Sequence, residues 1–476
     1  MLQTIHSTEG GGTDTLIGGS GNDYYVIDSG DDVVVELVNG GIDTVRADFT
    51  GYVLGANIEN IVLGDSVAVF TANSLANYIT GNSLNNTLDG GAGADTVVGG
   101  DGNDYYIVDH LGDQIIESAG VASGTDSVLV NVSLFSLSAN MEILLMGALG
   151  VTGAGNTLAN TIIGNNQFNS LFGNDGNDYL FGGGGNDTIN GGVGIDTLVG
   201  GLGNDYFVID NAVDSIVGGG GSDGIVAQYN NYTLTSGFNI LVLDGPAASR
   251  GYGNAGNNTL TGSTYTNTLD GNGGDDRMVG LTGHDYYIVD SLGDVVVEAA
   301  SEGTDTVESR LGTYTLGNNV ERLILGLGSM HGIGNSMGNI LMGNTVNNSL
   351  SGAAGNDSLF GDNGDDTLLG ALATSTGGRG EIDTLTGGNG NDVFILGTAA
   401  GCLYDDGNTK LAGTTDYAFI TDFGSGDKLQ LRGTAYTNYY LSSLNLYREL
   451  GAIDELIAVF QGTVPSALNV NTVNLV

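Results

Sequence analysis

Over most of the chain a large apolar residue returns every nine positions, flanked by polar or small residues and preceded by glycines and an aspartate. GGSGNDYYV at residues 18–26 recurs as GGAGADTVV at 90–98 and GGDGNDYYI at 99–107. It recurs again as GGGGNDTIN, GGVGIDTLV and GGLGNDYFV within 182–208, and as GGNGNDVFI at 387–395. In each copy GGxGxD is turn chemistry, because glycine accepts positive φ and Asp or Asn stabilises tight turns. The following xUx, with U large and apolar, alternates as a short strand does. A strand of about three residues cannot bury its apolar face alone, so the copies must stack, each strand bonding to its counterpart one coil along. Two nonapeptides per coil predict an all-β fold, a parallel β-roll or β-helix solenoid of about 18 residues per coil. With strands ~4.8 Å apart, the expected rod is on the order of 100 Å long.

The aspartates keep the same register. They fall nine apart at Asp14 and Asp23; Asp95 and Asp104; Asp178, Asp187, Asp196 and Asp205; Asp276 and Asp285; Asp357 and Asp366; Asp383 and Asp392. Where glycines fade, Asn holds the position: Asn77 and Asn86, Asn160 and Asn169, Asn258 and Asn267, Asn339 and Asn348. Downstream the same step reaches Asp32, Asp113, Asp214 and Asp294. A longer unit lies above the nonapeptide. It is marked by DYYVID at Asp23, DYYIVD at Asp104, DYFVID at Asp205, DYYIVD at Asp285 and DVFILG at Asp392, roughly 80 to 107 residues apart. Each unit also carries a version of LGANIENIVL: Leu54–Leu63, then LSANMEILLM, LTSGFNILVL and LGNNVERLIL from Leu137, Leu234 and Leu316. The expected division is therefore a solenoid of four long units over residues 1–397 and a distinct tail over 398–476.

Charge adds a constraint that periodicity does not contain. Against 55 Asp+Glu stand only 10 Lys+Arg, for a formal charge of −45, so nucleic acid is excluded as a partner. A compact fold of such a chain repels itself unless a cation is supplied, and a divalent metal is the economical one. Glycine is abundant, at 85 residues, yet only 2 prolines occur and 40% of residues are hydrophobic, which fits neither collagen nor simple disorder. Cys402 is the single cysteine, so no internal disulfide framework exists. No basic residue precedes Arg46 and no apolar run approaches the ~18 residues of a membrane span, so neither a secretory signal peptide nor a transmembrane segment is expected.

These nonapeptides resemble those of the RTX calcium-binding family, GGxGxDxUx, whose repeats form a parallel β-roll, and copies cover roughly residues 10–397. The resemblance implies multiple Ca²⁺ ions held between coils by the fourteen nine-spaced aspartates, Asp14 through Asp392, together with turn carbonyls. Calcium is also what the donors suit: carboxylates and carbonyls match a hard ion of six to eight oxygen ligands, while four scattered His and one Cys offer zinc nothing. The alternative is that Asp and Asn serve only the backbone angles of the turns. Turns on one edge lie a coil apart, so the strongest sites have Asp at both i and i+18. Those pairs are Asp14 and Asp32, Asp95 and Asp113, Asp178 and Asp196, Asp187 and Asp205, Asp196 and Asp214, Asp205 and Asp223, and Asp276 and Asp294. Four overlap between Asp178 and Asp223, the stretch expected to be the best calcium ladder. The Asn-bearing copies read either as RTX repeats that have lost acid or as hydrogen-bonded ladders without metal. Glu36, Glu117 and Glu298, at one recurrent position, read as solvated strand edges rather than ligands.

After Gly397 the clock stops. Tyr417–Gly433 resembles the I-x-D-F-x-x-G-D-x-I-x-L segment that ends many RTX arrays, and a small C-terminal β cap is expected there because a solenoid otherwise ends on an open core. The uncharged stretch Pro465–Val476 resembles the uncleaved signal read by type I secretion machinery. GGSDG at Gly220 and GNSMG at Gly334 satisfy GxSxG, but a chain so rich in Gly and Ser produces such matches by composition, and no strand-to-helix context surrounds them. His6, His110, His284 and His331 read as turn or surface residues. The repeats begin within about ten residues of Met1, leaving no room for the catalytic domain many RTX proteins carry, so no enzyme is expected. The reading is a secreted, extracellular calcium-binding structural protein that folds on Ca²⁺ outside the cell and self-associates into a layer, sheath or fibril, similar to repeat-only RTX proteins of cyanobacteria. The second reading is an adhesin binding cell-surface polysaccharide through the paired aromatics Tyr24 and Tyr25, Tyr105 and Tyr106, and Tyr286 and Tyr287. A polysaccharide-modifying β-helix enzyme comes third.

Overall fold

The computed structural model describes residues 3–6, 12–120, 124–371, 380–397, 403–404, 416–432, 439–448, 455–462 and 473–475. Among them every regular element is a β-strand, and no helix is long and apolar enough to cross a membrane. Two compact units, 1–229 and 230–476, divide the chain.

In the first unit the nonapeptide rule is visible directly. Thr161, Tyr179, Thr197 and Ser215 follow one another in parallel register on one sheet, and Ser170, Thr188 and Tyr206 do so on the other. Successive rungs in this stretch stand 18 residues apart. One sheet of nine strands runs from Val69–Thr71 to Ser215–Gly220, and another of seven runs from Gln3–His6 to Gln114–Ile116. Alternation within each short strand sends the U residue inward. Ile162, Leu180 and Leu198 on one sheet therefore face Leu171, Ile189 and Phe207 on the other, all fully buried. Each such side chain contributes roughly 1.5–3 kcal/mol, and the hydrogen-bonded ladder holds their spacing.

Coils are not uniform. In the first unit Tyr24 pairs with Thr44 and Tyr105 with Ser127, over coils 20 and 22 residues long. Each is followed by a 16-residue coil, Thr44 to Asn60 and Ser127 to Ile143. The short coil is where the LGANIENIVL segments sit. The spare residues of the long coil are accommodated outside the ladder, so the inward register survives.

The second unit repeats the arrangement, with Tyr286 to Thr306 across 20 residues and Thr306 to Arg322 across 16. Its thirteen-stranded sheet begins at Tyr232–Thr233 and its seven-stranded sheet at Thr313–Thr315. Longer insertions are handled the same way. Ser358 pairs with Thr384 and Val393 with Lys428, although 26 and 35 residues separate the adjoining rungs. Tyr417–Ile420 and Lys428–Leu431 thus add a further rung to each sheet instead of breaking away. The larger sheet then turns antiparallel through Asn445–Arg448 and Tyr439–Ser442, beside a packed cluster of Phe394, Phe423 and Phe460. Most of the insert at 371–380, Cys402 and most of the stretch from Pro465 lie outside the described residues.

Candidate metal centre

The turn builds its acid site from the glycines upward. In Gly182–Asp187, Gly183 and Gly185 take φ of +106° and +110°, which bends the chain back within one coil. The first glycine of each motif matters for another reason. A Cβ on Gly173, Gly182, Gly191, Gly200, Gly271 or Gly361 would land on Oδ2 of the aspartate five residues later. Glycine there keeps open the space in front of that oxygen.

Each aspartate has two differently placed oxygens. Oδ1 accepts the main-chain N–H of the residue one coil earlier: Asp196 from Asp178 at 2.8 Å, Asp205 from Asp187 at 2.8 Å and Asp223 from Asp205 at 2.9 Å. All seven pairs expected from the coil length are joined this way, with Asp14–Asp32, Asp95–Asp113, Asp196–Asp214 and Asp276–Asp294 completing the set. Oδ2 is different. In Asp23, Asp95, Asp104, Asp178, Asp187, Asp196, Asp205, Asp276, Asp285, Asp357, Asp366 and Asp392 it is buried and accepts no hydrogen bond. A buried carboxylate oxygen without a donor is costly unless a cation stands against it. The described ion pairs of Arg46 and Arg310, with Asp48, Asp290 and Glu308, lie off this row. An oxygen-lined space beside a row of unpaired carboxylate oxygens is what a hard divalent ion requires.

Some expected ligands have other employment. Asp32, Asp113 and Asp294 give Oδ1 to the coil before and Oδ2 to N–H groups of Ser29, of Asp109 and His110, and of Asp290 and Ser291. They close a local turn as well as the ladder. Asp383 receives the Tyr404 hydroxyl on Oδ2 at 2.7 Å. Asp14 and Asp214 are half-buried.

Among the described residues three places hold more acid than the nonapeptide supplies. Asp23, Glu36 and Asp43 each bring a carboxylate oxygen within 4.8 Å of the others, as do Asp104, Glu117 and Asp126, and Asp285, Glu298 and Asp305. The reading of Glu36, Glu117 and Glu298 as solvated edges is therefore overturned. They are buried, and the hydroxyls of Tyr25, Tyr106 and Tyr287 donate to them. Each glutamate lies within the long coil, between the two aspartates whose carboxylates it meets. Asp43, Asp126 and Asp305 were missed because they stand off the nine-residue clock. Their signal was nonetheless present, as GIDTV, GTDSV and GTDTV repeat the G-x-D-x-U core of the nonapeptide.

A family model for the RTX calcium-binding nonapeptide repeat (4 copies) matches residues 10–34, 71–107, 154–189, 181–210, 190–225, 252–287, 333–371 and 377–399. The chain belongs to the RTX family. Its repeats bind Ca²⁺, and the acidic clusters fit several such ions. No curated protein matches the chain. Among solved structures it is similar to the extracellular lipase LipA from Serratia marcescens, at 15% identity and a TM-score of 0.20, over 48% of this chain and 40% of that one. The chain thus spans less than half the length of that lipase.

In the Asn-bearing RTX copies the side-chain amides donate to main-chain carbonyls about one coil earlier. The Asn86 amide donates to the Val67 carbonyl at 3.0 Å, Asn160 to Met141 at 3.0 Å, and Asn339 to Val320 at 3.1 Å. A second Asn four residues earlier donates to two carbonyls at once: Asn82 to Gly64 and Val67, Asn156 to Ser138 and Met141, Asn335 to Gly317 and Val320, all at 2.7 to 2.8 Å. The amide supplies to these carbonyls the positive hydrogens a cation would otherwise replace. These bonds run to main chain, not between side chains as stacked Asn would. The spacing G-N-x-x-x-N was the available sequence sign. His110 accepts the N–H of Gly112 within its own turn, and the exposed His284 accepts the N–H of Thr304 one coil along.

Burial raises the acid pKa values of the metal-free fold. It is the main cause for Asp95, Asp178, Asp187 and Asp276, pushed up to about 6, where main-chain N–H groups partly offset it and neighbouring aspartates add to it. Glu117 and Asp357 reach about 8 through burial and adjacent carboxylates, and Glu298 about 8 through burial despite the Tyr287 hydroxyl. A carboxyl raised in the folded state binds more protons there than in the unfolded chain. The penalty is absent below the ordinary carboxyl range and complete above about 8, so metal-free stability falls as pH rises through that window. In chelator, residual β-structure measured by circular dichroism is expected to grow on acidification from about pH 8 to about pH 5. Unchanged structure across that range would refute the assignment of these shifts.

Proposed function

We propose that this RTX chain is a secreted structural protein that stays unfolded at low cytosolic calcium, folds outside the cell as Ca²⁺ neutralises its turns, and assembles into a surface layer, sheath or fibril. The row of buried Oδ2 atoms without donors, in a chain of charge −45, carries the reading. In this reading Asp178, Asp187, Asp196, Asp205, Asp214 and Asp223 form the strongest ladder, and residues 398–476 cap the array and carry the export signal. RTX repeat proteins are typically secreted, which supports an extracellular location. Exposed apolar side chains favour association: Val193, Leu202 and Val213 stand 65%, 73% and 59% exposed at or beside successive turns. Polysaccharide binding has less support, because Tyr25, Tyr106 and Tyr287 lie inside the fold and cannot stack on a sugar. Negative-stain imaging with calcium is expected to show filaments or sheets that chelator disperses. Dispersed particles that bind a glycan array would instead establish the adhesin.

A further inference from the structure

We propose that each Asp–Glu–Asp triad is a second class of buried calcium site, in which one nonapeptide aspartate is joined by two acids from off the nine-residue clock. The inference deepens the calcium-folding reading and rests on it. The triads are Asp23, Glu36 and Asp43; Asp104, Glu117 and Asp126; and Asp285, Glu298 and Asp305.

The first observation is burial without partners. Every triad residue is more than nine-tenths buried. Asp23 and Asp43 leave Oδ2 without a hydrogen bond, Asp104, Glu117 and Asp126 each leave one oxygen so, and Asp285 and Glu298 do the same. Three clustered carboxylates with orphaned oxygens repel one another and point into shared space, which a cation of six to eight oxygen ligands reconciles.

The second observation is a support built for that glutamate and its neighbour. Asn57, Asn140 and Asn319 take φ of 65°, 67° and 63°, and their amides hold the main-chain carbonyls of Glu36, Glu117 and Glu298. Glu59, Glu142 and Glu321 accept the N–H of Asp43, Asp126 and Asp305. Asn accepts the left-handed region more readily than other residues with a side chain, and the same conformation and the same bond return at three equivalent positions.

The third observation comes from the unit that lacks the triad. Where the others have Tyr and, eleven residues on, Glu, this unit has Phe207 and Gly218. Where they have Asn and Glu in the LGANIENIVL segment, it has Gly237 and Asn239. Its aspartates Asp205 and Asp223 are joined across an ordinary 18-residue coil. Hydroxyl, glutamate, supporting amide and bulge vanish together, so they form one device, and the device is the site.

The chain has no tryptophan, so Tb³⁺ luminescence excited in the aromatic band depends on tyrosine, and each triad glutamate carries a tyrosine hydroxyl. Equilibrium dialysis with calcium and Tb³⁺ titration compare the full chain with Glu36→Gln, Glu117→Gln and Glu298→Gln, singly and together. Each single variant is expected to bind one calcium fewer at concentrations that saturate the parent, and the triple variant three fewer with weakened sensitised emission. The singles keep the test decisive if the triple variant does not fold. Unchanged stoichiometry and emission would overturn the triads while leaving the turn ladder intact. A parent chain that binds no calcium would overturn both.

Discussion

In chelator at neutral pH the chain is expected to give the far-ultraviolet circular dichroism of an unfolded polypeptide, and calcium is expected to restore a β spectrum in one cooperative step. The reason is the balance between apolar burial and buried charge. The core is ample but thin, one inward residue per short strand, and a typical domain retains only about 5–15 kcal/mol after its conformational entropy is met. Each buried carboxylate with one oxygen unsatisfied and no counter-charge removes several kcal/mol of that margin. A dozen aspartates from Asp23 to Asp392 are in that state, so the metal-free fold cannot hold at a pH where they ionise. Calcium reverses the sign, since an ion at 100 times its Kd adds about 2.7 kcal/mol per site and the sites share one ladder. Equal spectra and equal melting with calcium and with chelator would refute this.

Gly203→Ala is expected to raise the calcium midpoint for folding and to remove at least about 2 kcal/mol of stability, while Gly220→Ala, one coil away, changes it by less than about 0.5 kcal/mol. Gly203 has φ of +130°, where an L side chain is strained, and its added Cβ would strike the main-chain oxygen of Gly185 in the coil before. That neighbour cannot move aside, because it belongs to a ladder whose rungs are set by parallel hydrogen bonds. Gly220 differs on both counts: its φ is ordinary, and its Cβ would meet only Leu202 Cδ2 at 3.6 Å. Thermal melts at fixed calcium read the contrast directly, and equal losses at the two positions would show that coil contact does not govern turn glycine.

The uniform stretch from Thr152 to Gly220 is legible from spacing alone. Strand parity places Leu171, Leu180, Ile189 and Leu198 inside, and coil length predicts the partners Asp178–Asp196 and Asp187–Asp205. At four turns outside that stretch the same counting fails. Asp23, Asp104 and Asp285 find acid partners 20, 22 and 20 positions away, and Asp357 finds Asp383 after 26. Asp357 thus has an acid partner that a strict 18-residue step does not predict.

By itself the amino-acid order determined the stacked parallel fold, the inward face of each strand and a calcium-seeking acid at each glycine turn, because these are local and repeat with a fixed period. Only the tertiary structure decided which coils lengthen to 20 or 22 residues and which shorten to 16, and so where Glu36, Glu117 and Glu298 end up. The physical reason is that a loop outside the ladder carries no register of its own. Whether its glutamate meets water or a buried carboxylate pair depends on how the next strand docks, and that is set by packing across coils.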